Sequence, residues 1–523
     1  MREYSLPIKE TLSNGLRYRE DYGRTTEFLT QCKFMKPQAW GLRSCLDVTQ
    51  PFNADKFDAW PFPQILRGSG ITLLAFETEI QLVTEGSPWT AGSDLTTYDL
   101  EDPVTEKAIT GSDVWHMADF GPVWFLFNGT CVVMKTNEAG MYGDTNNIYV
   151  TNSTTVQTGC AHRGRLILGG FSTSDFFGDD WQAVWNTWLN NTEYDIDTDL
   201  DGVGGNFVFW STIGGGDALN PFLPREAIEG TLREDLRSVE DGMFLELWKR
   251  NECGFMPMPW QGDVQQVRPL GKNVVVYGED GVTMLVLVSE PYPTYGRQDI
   301  APFGIPSRGA AGGDSNVQLF CDSSGDLWRL DLEGGLRKLG YKEFIADLVG
   351  QDIVISYNAD LGDFYISGED SSNNALTFVL TDKGLGQAPQ QITSGVYTGG
   401  AFVGVSETDA STVTTVVTDV IDFGSRDVKT LTTVELGIEA AAAPETVQVA
   451  VDYRNSRSDS WTRSRWITVN PMGFARLQVT ALEFRLAIKC STYVSFVLDY
   501  INLKWQSSGL RTIRGFSASQ ADA

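Results

Sequence analysis

Histidine is almost missing from this chain: His116 and His162 are the only two in 523 residues. A multi-histidine metal centre is therefore excluded, and no HExxH occurs. No GxSxG elbow accompanies either histidine, so a Ser-His-Asp triad has no local support. Both lie in or beside strand-like segments, where a packed, hydrogen-bonded role is expected. The seven cysteines, Cys32, Cys45, Cys131, Cys160, Cys253, Cys321 and Cys490, are odd in number, widely spaced and free of CxxC. They indicate neither a disulfide framework nor a zinc site, and free thiols in a reducing cytoplasm fit best. Cations are scarce too, with 40 Lys and Arg against 68 Asp and Glu, a formal charge of −28. Gripping nucleic acid through its phosphates takes clustered Lys and Arg, so stable nucleic-acid binding is not expected. The same charge serves plain solubility, and it would also let a polyanion slide past without sticking. There is no apolar run of about 18 residues to span a membrane. The N-terminus, MREYSLPIKETLSNGL, has no apolar signal-peptide core. Gly214–Gly216 is followed by Asp217 rather than Lys, so no phosphate-cradling P-loop is present. These absences together predict a soluble protein made in the cytoplasm.

What is abundant points to short strands. Glycine numbers 53, alongside 15 Trp, 17 Tyr and 28 Phe. Many turns with many aromatics favour β structure over long helices. The stretch Asn316–Tyr341, NVQLFCDSSGDLWRLDLEGGLRKLGY, is the most telling. VQLFC reads as a half-buried strand, DSSGD as a turn in which Asp and Ser bond their own backbone, and LWRLDL as the return strand. A Gly-Gly turn and a third strand follow, which is the pattern of a propeller blade. The same pattern recurs loosely at Asp113–Thr136 with an Asn128–Gly129 turn, at Gly159–Phe171 and at Gly204–Gly216. It recurs again at Val267–Val288 with an Asp280–Gly281 turn, at Asp352–Gly368 and at Asn374–Gly384.

The expected fold is all-β in three parts. Residues 1–65 form an irregular N-terminal docking segment. Residues 66–405 form a β-propeller of six or seven weak blades, with a helical insertion near 224–250. Residues 406–523, Thr/Val-rich with about seven alternating strands, form an antiparallel β-sandwich ending in a polar tail.

Few residues suggest chemistry. DIDTDLDG places Asp197, Asp199, Asp201 and Gly202 at the first, third, fifth and sixth positions of a calcium loop. The bidentate Glu of position twelve is replaced by Val208, and a strand rather than a helix follows. The segment is either an atypical Ca²⁺ loop completed by a distant acid or an acidic solvated loop; no other cofactor is expected. The calcium reading predicts that chelation lowers the melting temperature and that Asp199→Ala abolishes that response; an unchanged melting curve with chelator would eliminate it. Glycoside hydrolysis needs two carboxylates at a set separation, which sequence neither places nor excludes. The Asp-box Ser-x-Asp-x-Gly-x-Thr-Trp is absent, SSGDLW (Ser323–Trp328) matching only its turn. Trp181, Trp185 and Trp188 would share one helical face, as a buried anchor or a sugar-stacking platform.

Three stretches resemble the nozzle proteins of short-tailed phages, the tail-tubular or DNA-stabilisation type. Cys253–Val286, CGFMPMPWQGDVQQVRPLGKNVVVYGEDGVTMLV, resembles a blade of that family entered through a Met/Pro-rich segment. DSSGDLWRLDLEGGLRKLGY resembles a later blade. DFGSRDVKTLTTVELGI and NPMGFARLQVTALEFRLAIKC (Asn470–Cys490) resemble its sandwich platform. The resemblance implies a virion structural protein rather than an enzyme: a homohexameric ring below the portal and adaptor, lining the DNA exit channel. Its partners would be adaptor and portal-proximal proteins, tail fibre or spike, and distal tail proteins, with transient contact to exiting DNA. Ring contacts bury large aromatics, and Trp40, Trp60, Trp461, Trp466 and Trp505 are the candidates for assembly or core packing. The competing reading is a propeller that binds or cleaves glycans on a host surface. It predicts paired inward carboxylates and aromatics around a pocket of several hundred Å³, whereas the structural reading predicts broad side-to-side interfaces and no such pocket.

Overall fold

The computed structural model describes residues 3–17, 28–49, 64–83, 96–99, 114–135, 148–150, 156–171, 205–210, 254–408 and 413–511, apart from short breaks within those spans. Trp60, the tryptophans of 181–188, the aspartates of DIDTDLDG and the segment 224–250 lie outside the described residues.

Successive antiparallel meanders form the blades of a propeller. Five are separate four-stranded sheets, and a sixth, Val354–Asn358 to Leu385–Ala388, runs edge-on into a larger sheet. The seventh pairs Gln390–Thr398 with Ala401–Thr408 and takes its third strand, Val48–Thr49, in parallel from the N-terminal part of the chain. The first strands of the blades, beginning with Gln64–Gly68 and ending with Gln390–Thr398, line the axis. The ring closes where Gln64 Nε2 donates to the Thr393 carbonyl at 3.2 Å and Ile65 N donates to Ser394 Oγ at 3.0 Å.

Face-to-face blade packing explains a departure from the expected alternation. VQLFC, read as half-buried, is buried at four of its five positions, and all six residues of Asn273–Gly278 are buried. A blade between two others has no solvent face, so its middle strands read as continuous apolar runs. Alternation survives further out, where Leu330 is buried between exposed Arg329 and Asp331.

The described strands of the N-terminal segment up to Ser44, in a segment expected to be irregular, are regular and belong to the sandwich. One sandwich sheet runs Met35–Gln38, Gly41–Ser44, Phe496–Arg511, Asp427–Ala440, Phe474–Ala481, with Glu3–Ile8 also paired along Phe496–Arg511. The other runs Leu29–Lys33, Thr414–Thr418, Glu483–Cys490, Val447–Arg454, and continues into blade six through Lys33 beside Gln387. The sandwich is therefore built from both ends of the chain, with the propeller as an insert between them. Its core includes Leu12, Leu42, Val434, Val449, Phe484, Ile488, Leu498 and Leu503, all buried. Prolines and aromatics without a clean period hid these N-terminal strands: Met35–Gln38 and Gly41–Ser44 pair locally, but Glu3–Ile8, Leu29–Lys33 and the outer side of Gly41–Ser44 find partners more than 350 residues away.

Two features join the parts closely. A Cβ on Gly386 would sit 2.1 Å from the Met35 carbonyl oxygen, so this backbone crossing requires glycine. Beside it the Lys36 ammonium meets the Asp363 carboxylate at 2.5 Å, with side chains 2% and 6% exposed.

Five cysteines are described as free and buried. Burial pushes the Cys32 and Cys160 thiols up to about 12. At about pH 8 neither forms appreciable thiolate in the native state. Ellman's reagent should therefore titrate them only after denaturation; rapid labelling of the native protein would contradict the packing described.

Candidate functional site

Seven first strands converge on an axial cavity of about 290 Å³. Blade one supplies Gln64 to Leu66, blade two Trp115 and His116, and blade four Gln266 and Arg268, while Tyr357 comes from blade six. Among the described residues that line it, none is Asp or Glu. The paired inward carboxylates that glycoside cleavage would require are thus not among them.

A polar chain crosses the wall. Val267 N donates to Thr158 Oγ1 at 3.0 Å, and Thr158 Oγ1 lies 3.0 Å from His116 Nδ1. The Gln266 amide, with its nitrogen donating to the Ala311 carbonyl at 3.1 Å, presents its oxygen to His116 Nε2 at 3.1 Å and to Arg268 Nη1 at 2.9 Å. All partners agree if His116 is neutral, carries its proton on Nε2 and accepts from the Thr158 hydroxyl at Nδ1. Arg268 also donates to the carbonyls of Ala311 at 3.3 Å and Gly313 at 2.8 Å. Blades two to five are therefore tied together around the axis by hydrogen bonds, where the first strands share no ladder.

Burial lowers the His116 pKa to about 3, with Arg268 and Arg308 adding charge repulsion. Because the folded pKa lies below the unfolded one, the unfolded chain binds the extra proton between about pH 6.5 and pH 3. Stability from this site is complete above that window and is lost as pH falls through it. His116→Gln should flatten the acid side of the stability profile measured by urea denaturation; an unchanged slope would show that other groups carry it. The second histidine, His162, is buried at the end of its strand with Nδ1 2.9 Å from Tyr295 Oη, and burial lowers its pKa as well. Both histidines are structural members of blade packing.

The tryptophans separate into three environments. Trp40, on the turn between Met35–Gln38 and Gly41–Ser44, is 77% exposed. Trp505 is half-buried, its ring stacked on Tyr4 at 4.9 Å and packed against Phe423 at 4.8 Å. Trp461 and Trp466 lie on the sandwich's outer face. The guanidinium groups of Arg454 and Arg485 sit 4.3 and 4.4 Å from the Trp461 ring, and the Lys489 ammonium 4.5 Å from that of Trp466. Such cation–π contacts cover both rings with charge. Among the described residues no group of three or more His, Cys, Asp or Glu is placed to hold a metal. No described helix is long and apolar enough to cross a membrane.

Sequence reasoning placed His116 in a blade but found no cavity. Arg268 and Gln266 carry no motif, since only blade closure brings them beside His116, 150 residues away in sequence for Gln266.

These sheets define the class: a β-propeller protein, with seven blades among the described residues, the propeller being inserted in a β-sandwich. No family model and no curated protein matches the chain. Solved structures similar to it include Hsv2 of Kluyveromyces lactis, at 9% identity over 66% of this chain and 98% of that one, with a TM-score of 0.28. An exo-β-1,3-galactanase from Phanerochaete chrysosporium is 10% identical over 77% and 98% of the two chains, with a TM-score of 0.27. AztD from Citrobacter koseri is 10% identical over 66% and 89%, with a TM-score of 0.29. Likeness at this level says nothing about activity.

Proposed function

We propose that this chain is a non-enzymatic structural protein of a short-tailed phage virion, made in the host cytoplasm and assembled as a homohexameric nozzle ring below the portal–adaptor. The observation that carries this reading is the insertion of the propeller into a sandwich made from both chain ends, the platform-plus-propeller plan implied by the sequence resemblance. The platform is tied to blade six by a shared sheet and a buried ion pair, as a platform that carries a propeller requires. Trp40 and Met472, 77% and 78% exposed on platform turns, offer apolar groups for contacts between copies or with the adaptor. The net charge of −28 suits a channel that passes DNA without holding it. Light scattering on the purified protein, alone and with a portal–adaptor complex, tests the proposal. A sixfold mass, or a monomer that becomes sixfold on the adaptor, is expected; a monomer indifferent to the adaptor would refute it.

A second reading, a glycan-binding host-surface protein, is favoured by one specific observation, the axial cavity itself. At about 290 Å³, with Tyr357 half-buried in its lining, it is near the lower end of the size that small-ligand pockets have. The absence of Asp and Glu from its described lining favours binding over cleavage. Screening the protein against an array of host-surface glycans separates the two readings, because a discrete glycan hit is expected only from the second.

A further inference from the structure

We propose that the axial cavity is a binding site for a small anion, a carboxylate or oxoanion group on a ligand up to monosaccharide size. The inference holds under either reading above. Its basis is a cation in the cavity wall that no lining carboxylate pairs. Arg268 lines the cavity, and its described hydrogen bonds go to neutral acceptors: the Ala311 and Gly313 carbonyls and the Gln266 amide oxygen. No described lining residue is acidic. Asp314 does act on Arg268 electrostatically. Its Oδ1, however, accepts from Asn316 N at 2.7 Å and Val317 N at 2.9 Å, and no hydrogen bond or ion pair joins it to Arg268 among those described.

The surroundings of that guanidinium are largely non-ionic. His116 is kept neutral by burial, with repulsion from Arg268 and Arg308, and therefore offers no competing charge. Trp115 and Ile65 are buried and Tyr357 half-buried, making a low-dielectric wall that focuses the field of a half-buried guanidinium. Arg268, Met117 and Pro269 are each partly exposed, so the site is reached from solvent. A concave, solvent-reached site with a guanidinium and no carboxylate in its described lining is where an anion gains most in a chain of net charge −28. Guanidinium is also the group whose planar fork best matches a carboxylate or sulfate.

The test is calorimetric titration of the full chain with sodium sulfate, with D-glucuronate and with D-glucose, at one ionic strength. Saturable binding of one or both anions and none of glucose is expected. Arg268→Gln removes the charge, and Gln266→Glu sets a carboxylate against it while leaving Arg268 and its carbonyl contacts in place. Each should weaken binding by about tenfold or more. Thermal melting of both variants shows whether they fold; should Arg268→Gln unfold, Gln266→Glu alone decides. Equal affinity for sulfate and glucuronate identifies a bare oxoanion site, and a clear preference for glucuronate identifies an acidic sugar. No heat with either anion overturns the proposal, and so does binding that survives in the folded variants.

Discussion

Lys36→Met should destabilise the protein by about 3–5 kcal/mol, the largest single effect expected among the described residues. Lys36 lies on the N-terminal strand Met35–Gln38 and Asp363 begins the strand Asp363–Glu369 of blade six. Their 2.5 Å ion pair is almost wholly removed from water. Methionine fills the volume of the lysine stem but leaves the Asp363 carboxylate buried without its cation, which costs far more than the pair itself contributes. The double variant Lys36→Met/Asp363→Leu removes both charges and should recover most of the loss. Denaturant unfolding of the three proteins, followed through the first transition, checks this. A double variant no more stable than Lys36→Met would mean that shape, and not the stranded charge, sets the cost.

Asp322→Ala should cost about 3 kcal/mol through a different device. Asp322 opens the DSSGD turn and is 8% exposed. Its Oδ1 accepts from Ser324 N at 2.8 Å, Ser324 Oγ at 2.7 Å and Asp326 N at 3.0 Å, and Oδ2 accepts from Trp328 Nε1 at 2.8 Å. Gly325, at φ +88°, lets the chain turn tightly enough for one carboxylate to collect these donors. Truncation leaves them without an acceptor in a place water reaches poorly. Burial raises the carboxyl pKa, but the bonds from Trp328, Ser324 and Asp326 outweigh it and hold the group below its ordinary value of 3.8. The stabilisation is therefore complete above that value and is lost as pH falls through the lower folded pKa. The gap between wild type and Asp322→Asn, followed by urea denaturation, should be constant near neutrality and shrink below pH 3.8. A gap unaffected by acid would show that the turn does not depend on the ionised form.

Local signals carried much of the architecture. Asn-Gly, Asp-Gly and Gly-Gly turns between β-rich runs marked the blades because a hairpin's geometry is set within a few residues. The side-chain bonding read from DSSGD is found in the structure for the same reason: the partners of Asp322 all lie within six residues. The change near residue 405 coincides with the passage from the last propeller strand, Ala401–Thr408, to the sandwich strand Thr414–Thr418. Burial was less legible. The alternation seen in VQLFC fails because blades cover both faces of one another, and period alone does not separate a two-sided strand from a one-sided one.

Composition and motif spacing by themselves determined that the chain is β-rich, acidic, poor in histidine and without a cysteine framework, since these depend on residue counts and contacts along the chain. Tertiary structure alone decided that strands between Glu3 and Ser44 complete a sandwich formed by the last hundred residues. It also decided that Lys36 meets Asp363, and that His116, Thr158, Gln266 and Arg268 share one axial wall. Each of these joins residues from 42 to more than 450 positions apart in sequence. Which distant strands become neighbours is set by closure of the propeller and pairing of the chain ends, and no local propensity encodes that.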